Sequence, residues 1–303
     1  MSRAQRIALL GLGEVGQALA QDLNRAGHAN LIAWDRLFPV AGSAPRLSAQ
    51  RLPFLATAGS MAEAVRDSSL IISAVTAGEC AAAAVEAATA LNPGAFYLDL
   101  NSVSPATREQ AARTLSAVGA RYVEAAVMSP IEPRRLGSPV WLGGPHARAF
   151  LPLAQSLGFA GASVYSDAIG TASAAKMCRS VIVKGMEALL AESLLTARRH
   201  GVEDAVLGSL NDLFPVADWR KLARYMISRS LQHGQRRAEE MREAVRTVAE
   251  AGIEPWMSRG CVERQAWAAA HVEGLREEAL TDMLDNLLGQ TPPPQRSQEP
   301  AHT

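Results

Sequence analysis

Arg6-Ile7-Ala8-Leu9-Leu10-Gly11-Leu12-Gly13-Glu14-Val15-Gly16 joins a short apolar run to the pattern G-x-G-x-x-G, and residues Gln17 to Arg25 follow with helical spacing. Nineteen residues past Gly16, Asp35 closes a second apolar run, Leu31-Ile32-Ala33-Trp34. Strand, glycine turn, helix, strand and terminal acid together have the layout of a dinucleotide site, beyond what a glycine-rich turn in an ordinary α/β unit needs. Gly11 permits the tight turn, Gly13 leaves room for a pyrophosphate, and Gly16 lets the helix sit close to the strand. The loop Gly11, Leu12, Gly13, Glu14, Val15 and Gly16 is therefore expected to hold phosphates over the N–H groups of the helix start. Asp35 is placed to accept hydrogen bonds from the adenosine ribose. Its charge repels the 2′-phosphate of NADP and favours NAD, whereas the neighbouring Arg36 would bind that phosphate and keeps NADP as the alternative. Nicotinamide is preferred to flavin, whose enzymes usually need a much larger cap region.

Composition narrows the classes. The 303 residues are 48% hydrophobic, enough for two domains with cores of their own. Net charge is zero and basic residues form only short pairs such as Arg134-Arg135 and Arg236-Arg237, so no nucleic-acid footprint is expected. Cys80, Cys178 and Cys261 are far apart and form no CxxC, and no histidine grouping suggests a metal site. The alanine-rich stretch around Cys80 to Leu91 is interrupted by Glu86 and bounded by charge, so it is not expected to span a bilayer. No long apolar segment precedes the first strand, so a cytoplasmic protein without a signal peptide or membrane partner is expected.

Residues 6–160 alternate between strand and helix patterns. Strands are expected at Arg6–Leu10, Leu31–Trp34, Pro53–Ala56, Ser69–Val75, Ala95–Leu100, Arg121–Val127, Val140–Leu142 and Ala162–Tyr165. Helical spacing covers Met61–Arg66, Ala81–Ala90 and Pro105–Val118. Such alternation gives an α/β, doubly wound, mostly parallel sheet of Rossmann type over residues 1–166. The rhythm then turns wholly helical. One helix is expected over Thr171 to His200, with more at 203–213, 218–232, 234–251 and 258–288, making an all-α second domain over 167–289. A helix of thirty residues is too extended to be covered within one protomer, which points to a homodimer through this domain. The tail 290–303, with Pro292-Pro293-Pro294, is expected to be disordered.

Ligands of an open α/β sheet bind beyond the carboxyl ends of its strands. Val75 and Thr76, after SLIISAV, are expected beside the ribose and pyrophosphate, although the same residues also read as a plain strand-to-helix loop. In Asp99-Leu100-Asn101-Ser102-Val103-Ser104-Pro105, Ser104 or Ser102 caps the next helix, and Asn101 and Ser102 lie toward the nicotinamide and substrate. Met128 and Ser129 should roof the substrate pocket. Lys176 lies one to two turns into the long helix amid small residues, with Ser180 on the same face. It reads either as a solvent-exposed residue or as a proton relay beside a cofactor. His233 is the one histidine that reads as a candidate to face the cleft, and it reads equally as an ordinary helix-junction histidine.

From about Arg6 to Gln265 the chain resembles the β-hydroxyacid dehydrogenases, the group containing 3-hydroxyisobutyrate and 6-phosphogluconate dehydrogenases. The resemblance rests on GLGEVGQALAQDLNRAGH, LDLNSVSPATR, YVEAAVMSPIEPRRLGSPVWLGG and GTASAAKMCRSVIVKGMEALLAESLLTARRHG. The last form is most similar to a little-characterised branch whose C-terminal domain has no assigned function. The resemblance implies Gly11, Gly13, Gly16 and Asp35 as dinucleotide residues, Ser102 as a substrate contact and Lys176 as the catalytic lysine. Three positions depart from the family. Met128-Ser129-Pro130 replaces a Ser-Gly-Gly that grips the substrate carboxylate, Ser180 replaces an asparagine, and Glu239-Glu240 falls where a Lys-Asp pair is usual. The implied activity is hydride transfer between NAD, or NADP, and a hydroxy acid bulkier or less polar than the family's usual ones, with Glu240 a substrate contact. The alternatives are an NADPH-dependent imine or keto reductase and a protein that binds the dinucleotide without turnover.

Overall fold

The computed structural model describes residues 6–131, 133–213 and 218–290. From position 291 on, the tail expected to be disordered lies outside the described residues.

β1 (Ile7–Leu10) feeds α1 (Glu14–Arg25), and β2 (Leu31–Trp34) returns parallel to β1 with Ile7 opposite Leu31. Past α2 (Ala44–Gln50), β3 (Ala56–Thr57) adds to the outer side of β2. The chain then passes through α3 (Met61–Val65) and lays β4 (Leu70–Ser73) against the other side of β1. α4 (Cys80–Ala88), β5 (Phe96–Asp99), α5 (Pro105–Ala117) and β6 (Arg121–Val127) continue outward in parallel. β7 (Val140–Gly143) reverses against β6, and β8 (Ala162–Ser166) follows α6 (Ala147–Ser156) parallel to β7. The resulting order is β3-β2-β1-β4-β5-β6-β7-β8. Chain direction across the sheet switches between β1 and β4, and the crevice at such a switch point is where ligands of open α/β sheets sit.

The central strands β1, β4 and β5 lack polar alternation because both faces are covered. Ile7 and Leu9 join Leu98 and Phe150 in the core on one face, while Ala8 and Leu10 join Tyr97, Ala84 and Leu115 on the other. The third strand starts at Ala56, not Pro53, because Leu52 to Leu55 is closed into a turn by the Leu55 N–H on the Leu52 carbonyl. α2 and α6 were not expected from the spacing.

By compactness the chain divides into one unit ending at Ser180, together with Arg242–Pro255, and a second of Val181–Met241 and the chain from Trp256. α7 (Thr171–His200) starts in the first and finishes in the second. The second unit is helical: α8 (Glu203–Leu213), most of α9 (Trp219–Glu250), α10 (Trp256–Ala269) and α11 (Leu280–Gln290). Its core unites Leu190 and Leu194 of α7, Ala223 and Ile227 of α9, and Met283, Leu284 and Leu287 of α11. The two helices expected to meet at position 233 are one rod kinked there, His233 taking φ −128. The next residue, Gly234, is packed so closely that a Cβ would lie 2.6 Å from the Gln265 carbonyl oxygen. The single helix expected over 258–288 is instead α10, a 3-10 turn at Val272–Arg276 and α11. The His271 ring stacks on Trp267 at the break, and Gly274 is seated against Leu287 and Leu231. No helix among the described residues is long and apolar enough to cross a membrane.

Candidate functional site

The glycine loop is built from backbone. Gly11 takes φ +88, and a Cβ there would lie 2.5 Å from the Ala74 carbonyl oxygen at the end of β4. A Cβ on Gly16 would fall on the Gly11 carbonyl oxygen. These two glycines let α1 and the loop close on β1 and β4. At Gly13 a Cβ would meet no protein atom within 4 Å. No side chain caps α1, whose N-cap is Gly13 itself. An uncapped helix start beside open space suits a phosphate, because first-turn N–H groups need an acceptor from elsewhere.

Asp35 accepts the Leu12 N–H on Oδ2 at 2.8 Å and the Leu37 N–H on Oδ1 at 2.9 Å. Its carboxylate thus ties the end of β2 to the glycine loop. Arg36 is exposed and pairs with Glu79, Nη1 to Oε1 at 2.5 Å. Val75 is half-buried against the loop, its N 3.1 Å from where a Gly11 Cβ would be. Thr76 is exposed, and its carbonyl accepts the Glu79 N–H.

At the end of β5 the arrangement rests on side chains. Ser104 caps α5, its Oγ accepting the Thr107 N–H at 3.3 Å. Ser102 is therefore free of that task, and its Oγ lies 2.7 Å from Lys176 Nζ. Asn101 is buried and donates to Ser73 Oγ at 3.0 Å, while its own Oδ1 is buried without a hydrogen-bond partner. An orphaned acceptor at that strand end fits the carboxamide or a hydroxyl of a bound molecule.

A buried ionic group holds this loop. Arg108 of α5 pairs with Asp99 Oδ1 at 2.7 Å and donates to the carbonyls of Asn101 and Ala125. Tyr122 donates to Asp99 Oδ2 at 2.7 Å, and burial together with that carboxylate holds the phenol well above its usual pKa. Glu124 of β6, fully buried, accepts the N–H of Gly170 at 2.6 Å and that of Ser173. Burial raises its carboxyl pKa despite Arg108 and these two donors. Ser173 Oγ donates to the Val103 carbonyl, and the Glu243 carboxylate accepts the Ser104 N–H at 2.9 Å. The first turn of α7 is thereby fastened to the loop that carries Ser102, which brings Lys176 to it.

Met128 and Ser129 are half-buried in the segment after β6, where the Met128 N–H donates to the Pro139 carbonyl. Ser180 is buried one turn beyond Lys176. His233 and Glu240 belong to the second unit, where Glu240 pairs with Lys184. Among the described residues no group of His, Cys, Asp and Glu is arranged to hold a metal ion. Asp99, Arg108, Glu124, Ser173, Glu243 and Glu79 were not singled out from the sequence. Glu124 left a signal, a charge inside the apolar strand YVEAAV. The others act through partners distant along the chain.

Residues 6–170 match a family model described as the NAD binding domain of 6-phosphogluconate dehydrogenase. Residues 197–268 match a domain of unknown function, DUF1932. Over 215 residues the chain is 24% identical to human mitochondrial 3-hydroxyisobutyrate dehydrogenase, covering 70% of this chain and 63% of that protein. It thus spans less than two thirds of that relative's length. A conserved hypothetical protein from Sinorhizobium meliloti 1021 superposes with a TM-score of 0.72 at 32% identity, over 96% of this chain and 98% of that one. A reductive aminase from Aspergillus terreus, solved with NADPH, cyclohexanone and allyl amine, shares the fold: TM-score 0.55, 18% identity, 93% and 99% covered.

Proposed function

The chain belongs to the family of the NAD binding domain of 6-phosphogluconate dehydrogenase, and on that footing we propose that it is a cytoplasmic NAD-dependent oxidoreductase acting on a hydroxy acid. The observation that carries the reading is the 2.7 Å contact between Lys176 Nζ and Ser102 Oγ, both in the unit that holds the glycine loop.

The glycine loop holds the pyrophosphate on backbone N–H groups, and Gly13 supplies the clearance. Bound nicotinamide supplies the hydride exchange, so the protein's task is alignment and proton handling. Ser102 and Asn101 orient the substrate. Lys176 takes the proton from the substrate hydroxyl during oxidation. In reduction its ammonium stabilises the charge growing on the carbonyl oxygen and then protonates it. Met128-Ser129-Pro130 offers one hydroxyl and a thioether where a glycine pair would leave backbone exposed, which suits a 3-hydroxy acid that is bulky or weakly polar. The protein acts as a homodimer through its second unit, where Ile182 and Leu189 of α7 and Val202 lie exposed.

A screen at 340 nm of 2- and 3-hydroxy acids, aryl-substituted ones included, with both cofactors, tests the reading. Turnover of a hydroxy acid supports it. Turnover confined to cyclic imines or ketones with NADPH replaces it with a reductase. Tight NAD binding without turnover across the panel replaces it with a non-catalytic binding protein. A monomer in sedimentation at micromolar concentration removes the dimer.

A further inference from the structure

We infer that Glu79 sets the cofactor preference: by holding Arg36 and adding its own charge beside Asp35, it selects NAD against NADP. The inference deepens the proposed function and rests on its dinucleotide site.

Arg36 follows β2 and Glu79 follows β4, and β2 and β4 are the two neighbours of β1. Their 2.5 Å ion pair joins the loops on either side of the strand that feeds the glycine loop. Asp35 is fixed there by two backbone donors, so its charge stays at the end of β2. Arg36 is the residue in that loop with the charge to bind a 2′-phosphate, and Glu79 already occupies its guanidinium. Glu79 is itself held by its N–H on the Thr76 carbonyl at 3.0 Å within a 3-10 turn.

An exposed ion pair is weak, so a phosphate dianion can compete for the guanidinium. Competition does not remove the penalty. Once displaced, the Glu79 carboxylate stays on a turn that its own N–H closes, next to the loop it had bridged through Arg36, and Asp35 stays fixed at the end of β2. Two carboxylates then face the dianion against one guanidinium, a net repulsion acting on NADP and not on NAD. Without Glu79 the same loop presents one carboxylate and one uncommitted guanidinium, a balanced pair.

The test measures dissociation constants of NAD⁺ and NADP⁺ by calorimetry at fixed ionic strength, for wild type, Glu79→Gln, and Glu79→Gln combined with Arg36→Ala. Wild type is expected to bind NAD⁺ more tightly. Glu79→Gln should tighten NADP⁺ by roughly tenfold or more and move NAD⁺ by less than about threefold. The double variant should lose that gain, since the gain requires the freed guanidinium. Any of three results overturns the inference while leaving the dinucleotide site standing: a wild type that prefers NADP⁺, an unchanged NAD⁺/NADP⁺ ratio in Glu79→Gln, or a gain that survives in the double variant. If wild type binds neither dinucleotide, the proposed function falls and this inference with it.

Discussion

Two strand-end loops serve the candidate site, and they are made differently. The loop after β1 does its work with backbone, and the glycines at 11, 13 and 16 are there because a Cβ would strike protein or fill the open space. The loop after β5 does its work with side chains, and those are set by groups elsewhere: Arg108 in α5, Glu124 in β6, Lys176 in α7 and Glu243 in α9. The first is a local device in which the fold excludes a side chain at Gly11 and Gly16, while Gly13 keeps open space clear. The second is a small polar interior whose parts depend on one another, since a buried charge without its partner is costly.

Removing the reacting group should break the second loop's function hardest. Lys176→Ala is expected to lower turnover about 10²–10⁴-fold with NAD affinity unchanged. A loss below about threefold with the wild-type pH profile removes Lys176 from the mechanism. Next comes the ionic support. Arg108→Met leaves Asp99 buried without its cation and should cost about 3–5 kcal/mol in urea unfolding; a cost under about 1 kcal/mol would mean the network is not a unit. For the first loop, Gly13→Val should weaken NAD by roughly a hundredfold or more in calorimetry, about 2.8 kcal/mol, and leave the melting temperature near wild type. Unchanged affinity there sinks the dinucleotide assignment. The smallest effect is expected at the cap. Ser104→Ala should cost about 1 kcal/mol of stability by losing the Thr107 N–H acceptor, and no cost would show that water replaces the hydroxyl.

The same contrast governs what was legible in the sequence. β1, β2 and β6 are found within a residue of their expected bounds because their apolar runs are buried on both faces. The long helix from Thr171 to His200 is found at its expected ends, its continuity following from the absence of proline. α6 escaped because Pro152 lies inside it and reads as a breaker, although Ala147, Phe150 and Ala154 carry the buried stripe. The antiparallel turn of β7 was overlooked, yet its signal was present: no long helix separates it from β6. Ser102 and Lys176 were each visible as candidates, but their meeting was not. It depends on Glu124 reaching residues 46 and 49 positions away. A pattern of neighbours along the chain holds no record of such a contact.

The clamp of Glu124 on the start of α7 also has a consequence in time. Amides in the first turn of a helix ordinarily lack acceptors within it and exchange their hydrogens with solvent quickly. Here the Ser173 amide is spent on a buried carboxylate, and the Ser173 hydroxyl on the Val103 carbonyl. Deuterium should therefore enter this helix start late, at the pace of opening of the sheet beneath it. A slow-exchanging amide at Ser173 would mark the lysine's platform as part of the most persistent body of the fold.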